Sequence, residues 1–273
     1  MRTLYITDLD GTLLRSDGSL SKFTASAVNS LIGKGMVFSY ATARSYVSAS
    51  RVTAGLCESL PVIIFNGTFI LDFSTGRMLR SCYFSAEEAR SIVEALTDGG
   101  VYPFVHRMTD EGEEFDYIEE RLSRGAAAFA EERRSDPRRR PVNGPDGLAG
   151  EGIFHFTCID ERERLAPLYE ALRERFECVF YLDPYSREYW LEVQPRGATK
   201  AEAVLYLKDA LGCDRVVCFG DGVNDLSMFE VSDECYAVES ACEEVKKRAT
   251  AVIGSNDEDG VAKWLLEKYI GEK

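Results

Sequence analysis

The sequence predicts an α/β fold, a doubly wound, Rossmann-like parallel sheet with a second, α+β domain inserted into it. At both ends of the chain, short apolar runs that stop at Gly, Asp or Asn alternate with segments of helical period. This alternation is typical of parallel strands joined by crossover helices. The middle of the chain lacks it. We therefore assign residues 1–83 and 196–273 to a discontinuous core and residues 84–195 to the inserted domain.

The N-terminal part starts with a strand over 4–7 and an Asp-Gly turn. A helix is predicted over 21–34, because Phe23, Ala27 and Leu31 recur on one face and Gly35 is a stop signal. Further predicted elements are a strand over 36–41, a helix over 46–54 and a strand over 61–65. In the C-terminal part the predicted helices are 200–211, 224–229, 241–248 and 260–269, and the predicted strands are 215–219, 235–238 and 251–253.

The inserted domain has a different pattern of predicted elements. The predicted elements are helices over 86–96 and 162–176 and strands over 101–106, 153–159, 179–182 and 189–193. Residues 183–188 have a Pro-Tyr-Ser centre that suits a hairpin connection. The Gly-, Pro- and Arg-rich segment 135–152 is predicted to be an exposed loop. Its arginines and their neighbours are expected to be solvated, with a grip on an anionic group as the alternative: Arg133, Arg134, Arg138, Arg139 and Arg140.

Charge and hydropathy exclude several classes of partner. The chain has 32 Lys and Arg against 46 Asp and Glu, a net charge of −14, which repels phosphate backbones and anionic lipids and argues against nucleic-acid or membrane partners. No apolar stretch approaches the ~18 residues of a membrane span, and acidic residues stand where a signal peptide would be apolar. We expect a cytoplasmic protein whose cysteines are reduced thiols.

Carboxylates follow two of the predicted strands. Asp8 and Asp10 come directly after the first strand, at the edge where open α/β sheets bind ligands. An Asp-Gly turn is the alternative, but two such carboxylates can also act as a nucleophile and a proton carrier. Asp221 and Asp225 follow another strand. Because carboxylates gathered in one cleft repel each other, a hard divalent cation is expected there, and Mg²⁺ fits best.

Two of three further segments suit a phosphate group. Residues 199–202 form a capping box that puts Lys200 in the first turn of a helix, where the dipole disfavours a cation. A phosphate bound there removes the conflict, and a solvated lysine is the alternative. Thr42 can hold a phosphoryl oxygen or cap a helix. The Asn66-Gly67 pair is more simply a turn.

These segments together resemble the haloacid dehalogenase-like phosphatases, specifically the Cof-type subfamily with a large α/β cap. The resemblance covers the whole chain and rests on DLDGT at 8–12, Thr-x-Arg at 42–44, the Asn-Gly turn, the long insertion, VQPRGATKAEAV at 193–204 and GDGVND at 220–225. It implies a Mg²⁺-dependent phosphomonoester hydrolase that acts on small phosphorylated metabolites through an aspartyl phosphate. The insertion would be a cap that sets substrate choice.

The resemblance also implies a role for each site residue. Asp8 is the nucleophile and Asp10 the general acid and base. Asp8, Asp221 and the main-chain carbonyl of Asp10 hold the metal, and Asp225 lies behind it or pairs with Lys200. The residues expected to hold the phosphoryl group are Leu9, Thr42, Ala43, Lys200 and Asn224. Ala43 replaces the family's usual glycine, and we expect that this position does not need positive φ.

Two alternatives stay open at this point. A phosphomutase shares the two-aspartate motif but returns the phosphoryl group to a sugar. A phospho-accepting signalling module also combines an acidic pocket with a hydroxyl and a lysine, but such modules are much smaller and lack an insertion of this size.

Overall fold

The computed structural model describes residues 1–57, 61–73, 75–183 and 186–271. The chain divides into two compact units, a discontinuous unit of residues 1–81 and 198–273 and an inserted unit of residues 82–197. The predicted hairpin connection over 183–188 includes residues 184 and 185, which lie outside the described residues.

The elements follow one another in this order along the chain. The N-terminal segment contains β1 (Thr3–Thr7), α1 (Lys22–Gly33), β2 (Val37–Tyr40), α2 (Tyr46–Val52), β3 (Val62–Ile64), β4 (Phe69–Asp72) and β5 (Arg77–Ser81). The inserted unit contains α3 (Ala86–Asp98), β6 (Phe104–Thr109), β7 (Gly112–Tyr117), α4 (Arg124–Glu132), β8 (Arg139–Pro141), β9 (Ile153–Asp160), α5 (Arg162–Leu172), β10 (Glu177–Leu182) and β11 (Tyr189–Gln194). The C-terminal segment contains α6 (Lys200–Ala210), β12 (Arg215–Gly220), α7 (Leu226–Glu230), β13 (Glu234–Val238), α8 (Glu243–Arg248), β14 (Ala251–Ile253) and α9 (Gly260–Gly271).

The discontinuous unit is built on a parallel sheet with the strand order β14-β13-β12-β1-β2. The central strand β1 is buried on both faces, as a parallel sheet covered by helices requires. A single parallel bridge, Ala41 to Ile63, connects β2 to the antiparallel sheet β3-β4-β5. The doubly wound parallel sheet is therefore confirmed. Its order puts the carboxyl ends of β12, β1 and β2 side by side.

The buried face of helix α1 differs from the predicted one. Ser21 caps its N-terminus by accepting a hydrogen bond from the N–H of Thr24. The buried residues of α1 are Thr24, Ala27, Val28 and Leu31. Phe23, which we expected on the buried face, is 47% exposed. The buried stripe follows the i, i+3, i+4, i+7 spacing from Thr24, whose hydroxyl donates to Asp259 at 3.1 Å.

The inserted unit is an α+β sandwich around a sheet of order β10-β11-β9-β6-β7-β8. Apolar residues of α3 and α5 pack on one face, around Val105, Phe156 and Leu191. Helix α4 packs on the other face, against Phe104 and Phe115. The α+β character of the insertion is confirmed, although β7, α4 and β8 were not predicted.

The predicted loop 135–152 is partly wrong. Residues 139–141 form the edge strand β8, and Leu148 is fully buried. The arginines there are held by neighbouring carboxylates: Arg138 lies 2.6 Å from Asp136, and Arg140 lies 2.6 Å from Glu114. These ion pairs allow an arginine-rich segment to join a sheet. They also argue against the alternative that the arginines grip a bound anion.

Within the part of the chain that the structure describes, no helix combines the length and the apolar character needed to cross a membrane.

Candidate active site

The first acidic motif lies at the carboxyl end of the central strand. The N–H of Asp8 still donates to the carbonyl of Phe219 in β12, at 2.9 Å, and the Asp8 side chain is buried. The chain then bends at Gly11, which has a φ of +73°, and a Cβ there would lie 2.5 Å from Asp221. Thr12 donates its hydroxyl to Oδ1 of Asp221 at 2.6 Å. Glycine is therefore needed to bring this loop against the second acidic motif.

Lys200 lies in the first turn of α6 but on its buried face, with Ala203, Val204 and Leu207. The side chain is 1% exposed, and Nζ donates to Oδ1 of Asp8 at 2.5 Å. It also donates to Oδ1 of Asp225 at 2.7 Å. The solvated-lysine alternative is thus wrong. A bound phosphate is also not needed to balance this cation, because the chain supplies two carboxylates itself.

The electrostatics of Lys200 favour its charged form. Burial by itself lowers the pKa of the Lys200 ammonium, but the attraction of Asp225 and Asp8 outweighs burial and raises that pKa above its ordinary value. A permanent positive charge is therefore fixed beside Asp8.

Asp225 is fully buried and uses both oxygens within the chain. Oδ1 accepts from Lys200, and Oδ2 accepts from the main-chain N–H groups of Asp221, at 2.9 Å, and Gly222, at 3.0 Å. A Cβ at Gly220 would lie 2.7 Å from the Asp225 carboxyl group. This explains why glycine precedes Asp221, and it makes Asp225 the residue that holds both Lys200 and the loop after β12.

The site has more negative than positive charge. Carboxylate oxygens of Asp8, Asp221 and Asp225 lie within 4.8 Å of one another. With all three carboxylates ionised, one ammonium group offsets one of the three charges, so two remain. Burial raises the pKa of Asp8 well above its ordinary value, although Lys200 opposes this, and burial raises the pKa of Asp221 to about 6. Oxygen donors with an excess of two negative charges fit a hard divalent cation. Asp8 and Asp221 suit the ligand role better, because hydrogen-bond donors already occupy Asp225.

Asp10 lies in a different environment from Asp8. Its side chain is 51% exposed and forms a bidentate ion pair with Arg44, in which Nε lies 2.7 Å from Oδ2 and Nη2 lies 2.5 Å from Oδ1. Arg44 also donates to Ser48. The structure therefore does not bring the Asp10 carboxylate into the buried acidic cluster. The Arg44 partner was missed, although the Thr-x-Arg segment contains it.

The segment after β2 presents Thr42 and Ala43 at the neighbouring strand end. Thr42 is fully buried, and its hydroxyl oxygen accepts from the N–H of Arg44 at 3.1 Å, which leaves the hydroxyl hydrogen for donation. The helix-capping alternative for Thr42 is wrong, because Ser45 caps α2. Among the described residues, the non-glycine positions with positive φ do not include Ala43. Alanine thus fits here without backbone strain, as expected.

Asn224 is exposed in the loop after β12, and its amide Nδ2 donates to Oδ1 of Asn66 at 3.3 Å. The sequence assigned the Asn66-Gly67 pair only to a turn, so this side-chain contact was missed. Leu9 is fully buried, and its carbonyl accepts from the N–H of Leu14 at 2.8 Å.

The acidic site lies at the carboxyl ends of the parallel strands of the discontinuous unit. A family model described as haloacid dehalogenase-like hydrolase matches residues 5–265. The chain therefore belongs to this family of hydrolases.

Named relatives and solved structures cover nearly the whole chain. The 5-amino-6-(5-phospho-D-ribitylamino)uracil phosphatase of Bacillus subtilis is 27% identical, over 97% of this chain and 97% of the relative. The HMP-PP phosphatase of Serratia proteamaculans is 29% identical, over 99% of this chain and 98% of the relative. A crystal structure of a haloacid dehalogenase-like hydrolase from Bacteroides thetaiotaomicron superposes with a TM-score of 0.79 at 22% identity, over 98% and 99% of the two chains. That likeness supports the fold.

Proposed function

We propose that the protein is a Mg²⁺-dependent phosphomonoester hydrolase that forms an aspartyl phosphate on Asp8. The single observation that carries the proposal is the buried contact of Asp8 with Lys200 inside a cluster that retains two excess negative charges. The substrate we propose is a small phosphorylated metabolite, since the two relatives are named for such compounds. Nucleic acids and membranes are not proposed partners. The inserted domain, residues 84–195, is proposed to be the cap that sets substrate choice.

The first chemical step uses the fixed orientation of Asp8. Lys200 holds Oδ1 of Asp8 at 2.5 Å, which directs the carboxylate and leaves Oδ2 to attack the phosphorus. The bond from phosphorus to the leaving oxygen breaks as the bond to Asp8 forms. Asp8, Asp221 and the carbonyl of Asp10 would hold Mg²⁺, which when bound neutralises charge on the phosphoryl oxygens. We propose that the other contacts to the phosphoryl oxygens come from Leu9, Thr42, Ala43, Lys200 and Asn224.

The proton transfers are assigned to Asp10. It protonates the leaving alkoxide, and as a carboxylate it then takes a proton from the water that attacks the aspartyl phosphate. The bond between phosphorus and Asp8 breaks in that second step, which releases inorganic phosphate and restores the free carboxylate. The half-exposed position of Asp10 supports this role, because a proton carrier must exchange protons with water between turnovers.

The test is phosphate release from a panel of sugar phosphates and other small phosphomonoesters. We expect release with added Mg²⁺ and at least a 100-fold lower rate in excess chelator, with Asp8→Asn as the inactive control. Transfer of the phosphoryl group to a second sugar, without free phosphate, would instead identify a phosphomutase. Full turnover in excess chelator would contradict the metal assignment.

A further inference from the structure

The loop after β3 has an unusual backbone. Phe65, Asn66 and Gly67 all have positive φ, at 49°, 52° and 104°. Asparagine and glycine accept this region readily, but it is costly for a bulky residue such as phenylalanine, so the surrounding structure must hold it. Phe65 is nearly buried and packs edge-on against Phe69, with ring centroids 5.9 Å apart.

Main-chain hydrogen bonds tie this loop to the Thr42 segment. The N–H of Asn66 donates to the carbonyl of Thr42 at 2.9 Å, and the N–H of Phe65 donates to the carbonyl of Arg44 at 3.1 Å. The backbone that presents Thr42 and Ala43 is therefore fixed from both sides by residues 65 and 66.

The same loop lies against the first turn of α6. A Cβ at Gly67 would collide with the main-chain carbonyl of Thr199 and would lie 2.9 Å from the nitrogen of Lys200. Arg80 also donates to the carbonyl of Gly67, at 3.2 Å. Close approach is possible only because Gly67 has no side chain, and it places the loop of residues 65–67 against the start of α6.

The side chain of Asn66 reaches the loop after β12, which contains Asn224. Its Oδ1 accepts one hydrogen of the Asn224 amide at 3.3 Å. An amide nitrogen carries two hydrogens, so one stays available. If the Asn224 amide were rotated by half a turn, its oxygen would take the place of the Nδ2 donor. That oxygen would repel a phosphoryl oxygen.

We infer that Asn66 is a positioning residue for phosphoryl binding, which acts by fixing the orientation of the Asn224 amide. Asn66 takes one amide hydrogen, and the second is directed to a phosphoryl oxygen. This inference rests on the proposed function, because it assumes that Asn224 binds the phosphoryl group. The loop of residues 65–67 then contacts all three phosphoryl-binding segments, which contain Thr42, Lys200 and Asn224.

The test is Asn66→Gly, which tolerates positive φ, keeps the N–H to Thr42 and removes only the carboxamide. We expect about a tenfold loss in kcat/KM and about a tenfold weaker inhibition by inorganic phosphate, with an unchanged thermal midpoint. Asn143→Gly, an exposed asparagine of the inserted unit, is the matched control and should change neither constant.

A double-mutant cycle with Asn224→Ala distinguishes positioning from a general loop effect. In the Asn224→Ala background, Asn66→Gly should cost less than about twofold. Independent, multiplying losses would overturn the inference, and so would an Asn66→Gly enzyme with wild-type constants. Calorimetric titration of each variant with inorganic phosphate is run in parallel. If the wild-type protein binds phosphate but hydrolyses no ester, the proposed function is contradicted, and the effect of Asn66→Gly on phosphate binding still tests the inference. If it neither binds phosphate nor hydrolyses esters, both are contradicted.

Discussion

The discontinuous unit and the inserted unit both bury charged side chains, but they balance the charge differently. In the discontinuous unit, three clustered carboxylates share one buried ammonium group, that of Lys200. In the inserted unit, the fully buried carboxylate of Asp116 lies between two guanidinium groups, with Arg107 at 2.5 Å and Arg140 at 3.3 Å. A buried carboxylate that already lies between two cations needs no further ligand, whereas an excess of buried charge indicates a site where a ligand completes the balance.

The largest expected effect is that of Lys200→Met. It leaves the clustered carboxylates without their cation, so we expect a loss of about 3 kcal/mol in the free energy of unfolding. Thr199 still caps α6 in this variant, but the cap does not replace the lost positive charge. We also expect a loss of about 2 to 4 kcal/mol in transition-state stabilisation, measured as kcat/KM.

Lys208→Met is the matched control on the same helix, since Lys208 lies in the last turn of α6. It should change the free energy of unfolding by only about 0.5 kcal/mol. Urea unfolding of both variants checks this, and equal effects would mean that burial of Lys200 has no special cost.

Asp116→Asn tests the buried carboxylate that lies between two arginines in the inserted unit. Removing this charge leaves Arg107 facing a neutral amide, so we expect a loss of about 2 kcal/mol in the free energy of unfolding. We expect kcat/KM to stay within about twofold of the wild-type value, because these ion pairs lie inside the inserted unit, whereas the acidic cluster belongs to the discontinuous unit. Urea unfolding and steady-state kinetics measure the two quantities. A large loss of kcat/KM at unchanged stability would give these ion pairs a functional role.

Glu192→Gln is expected to change stability only at higher pH and sharpens the comparison, because this partly buried carboxyl has a hydroxyl partner, Tyr181, rather than a cation. Burial raises the pKa of Glu192 from 4.5 to about 7. The folded chain then keeps a proton that the unfolded chain releases, so the stability contributed by this group falls as pH rises through that window. We expect Glu192→Gln to be about 2 kcal/mol more stable than the wild type at pH 8 and equal to it at pH 4. Urea unfolding that gave the same difference at both pH values would contradict this.

The sequence predicted the parallel core well, because apolar strands and capped helices have clear periods; β14 lies over the predicted residues. The short strands β4, β5 and β8 were missed, since their pairing depends on tertiary partners such as the carboxylates beside Arg138 and Arg140. At the site, the motifs pointed to the acidic residues. The burial of Lys200 was missed, because a search for apolar periodicity counts lysine as polar.

The environments of the two motif aspartates also could not be predicted. Asp8 and Asp10 stand two positions apart in a turn, and only the bend at Gly11 and the contact with Arg44 separate a buried carboxylate from a half-exposed one. Contacts between distant segments, such as Asn66 with Asn224, leave no local pattern in a sequence.

The central claim is that Asp8 is the nucleophile and Asp10 the proton carrier, and rapid-quench kinetics with nitrophenyl phosphate tests it most directly. Nitrophenolate leaves without protonation, so Asp10→Asn should release a burst of about one phenol per enzyme and then stall as the aspartyl phosphate accumulates. Asp8→Asn should release none and form no covalent intermediate. A burst from Asp8→Asn, with none from Asp10→Asn, would contradict the account.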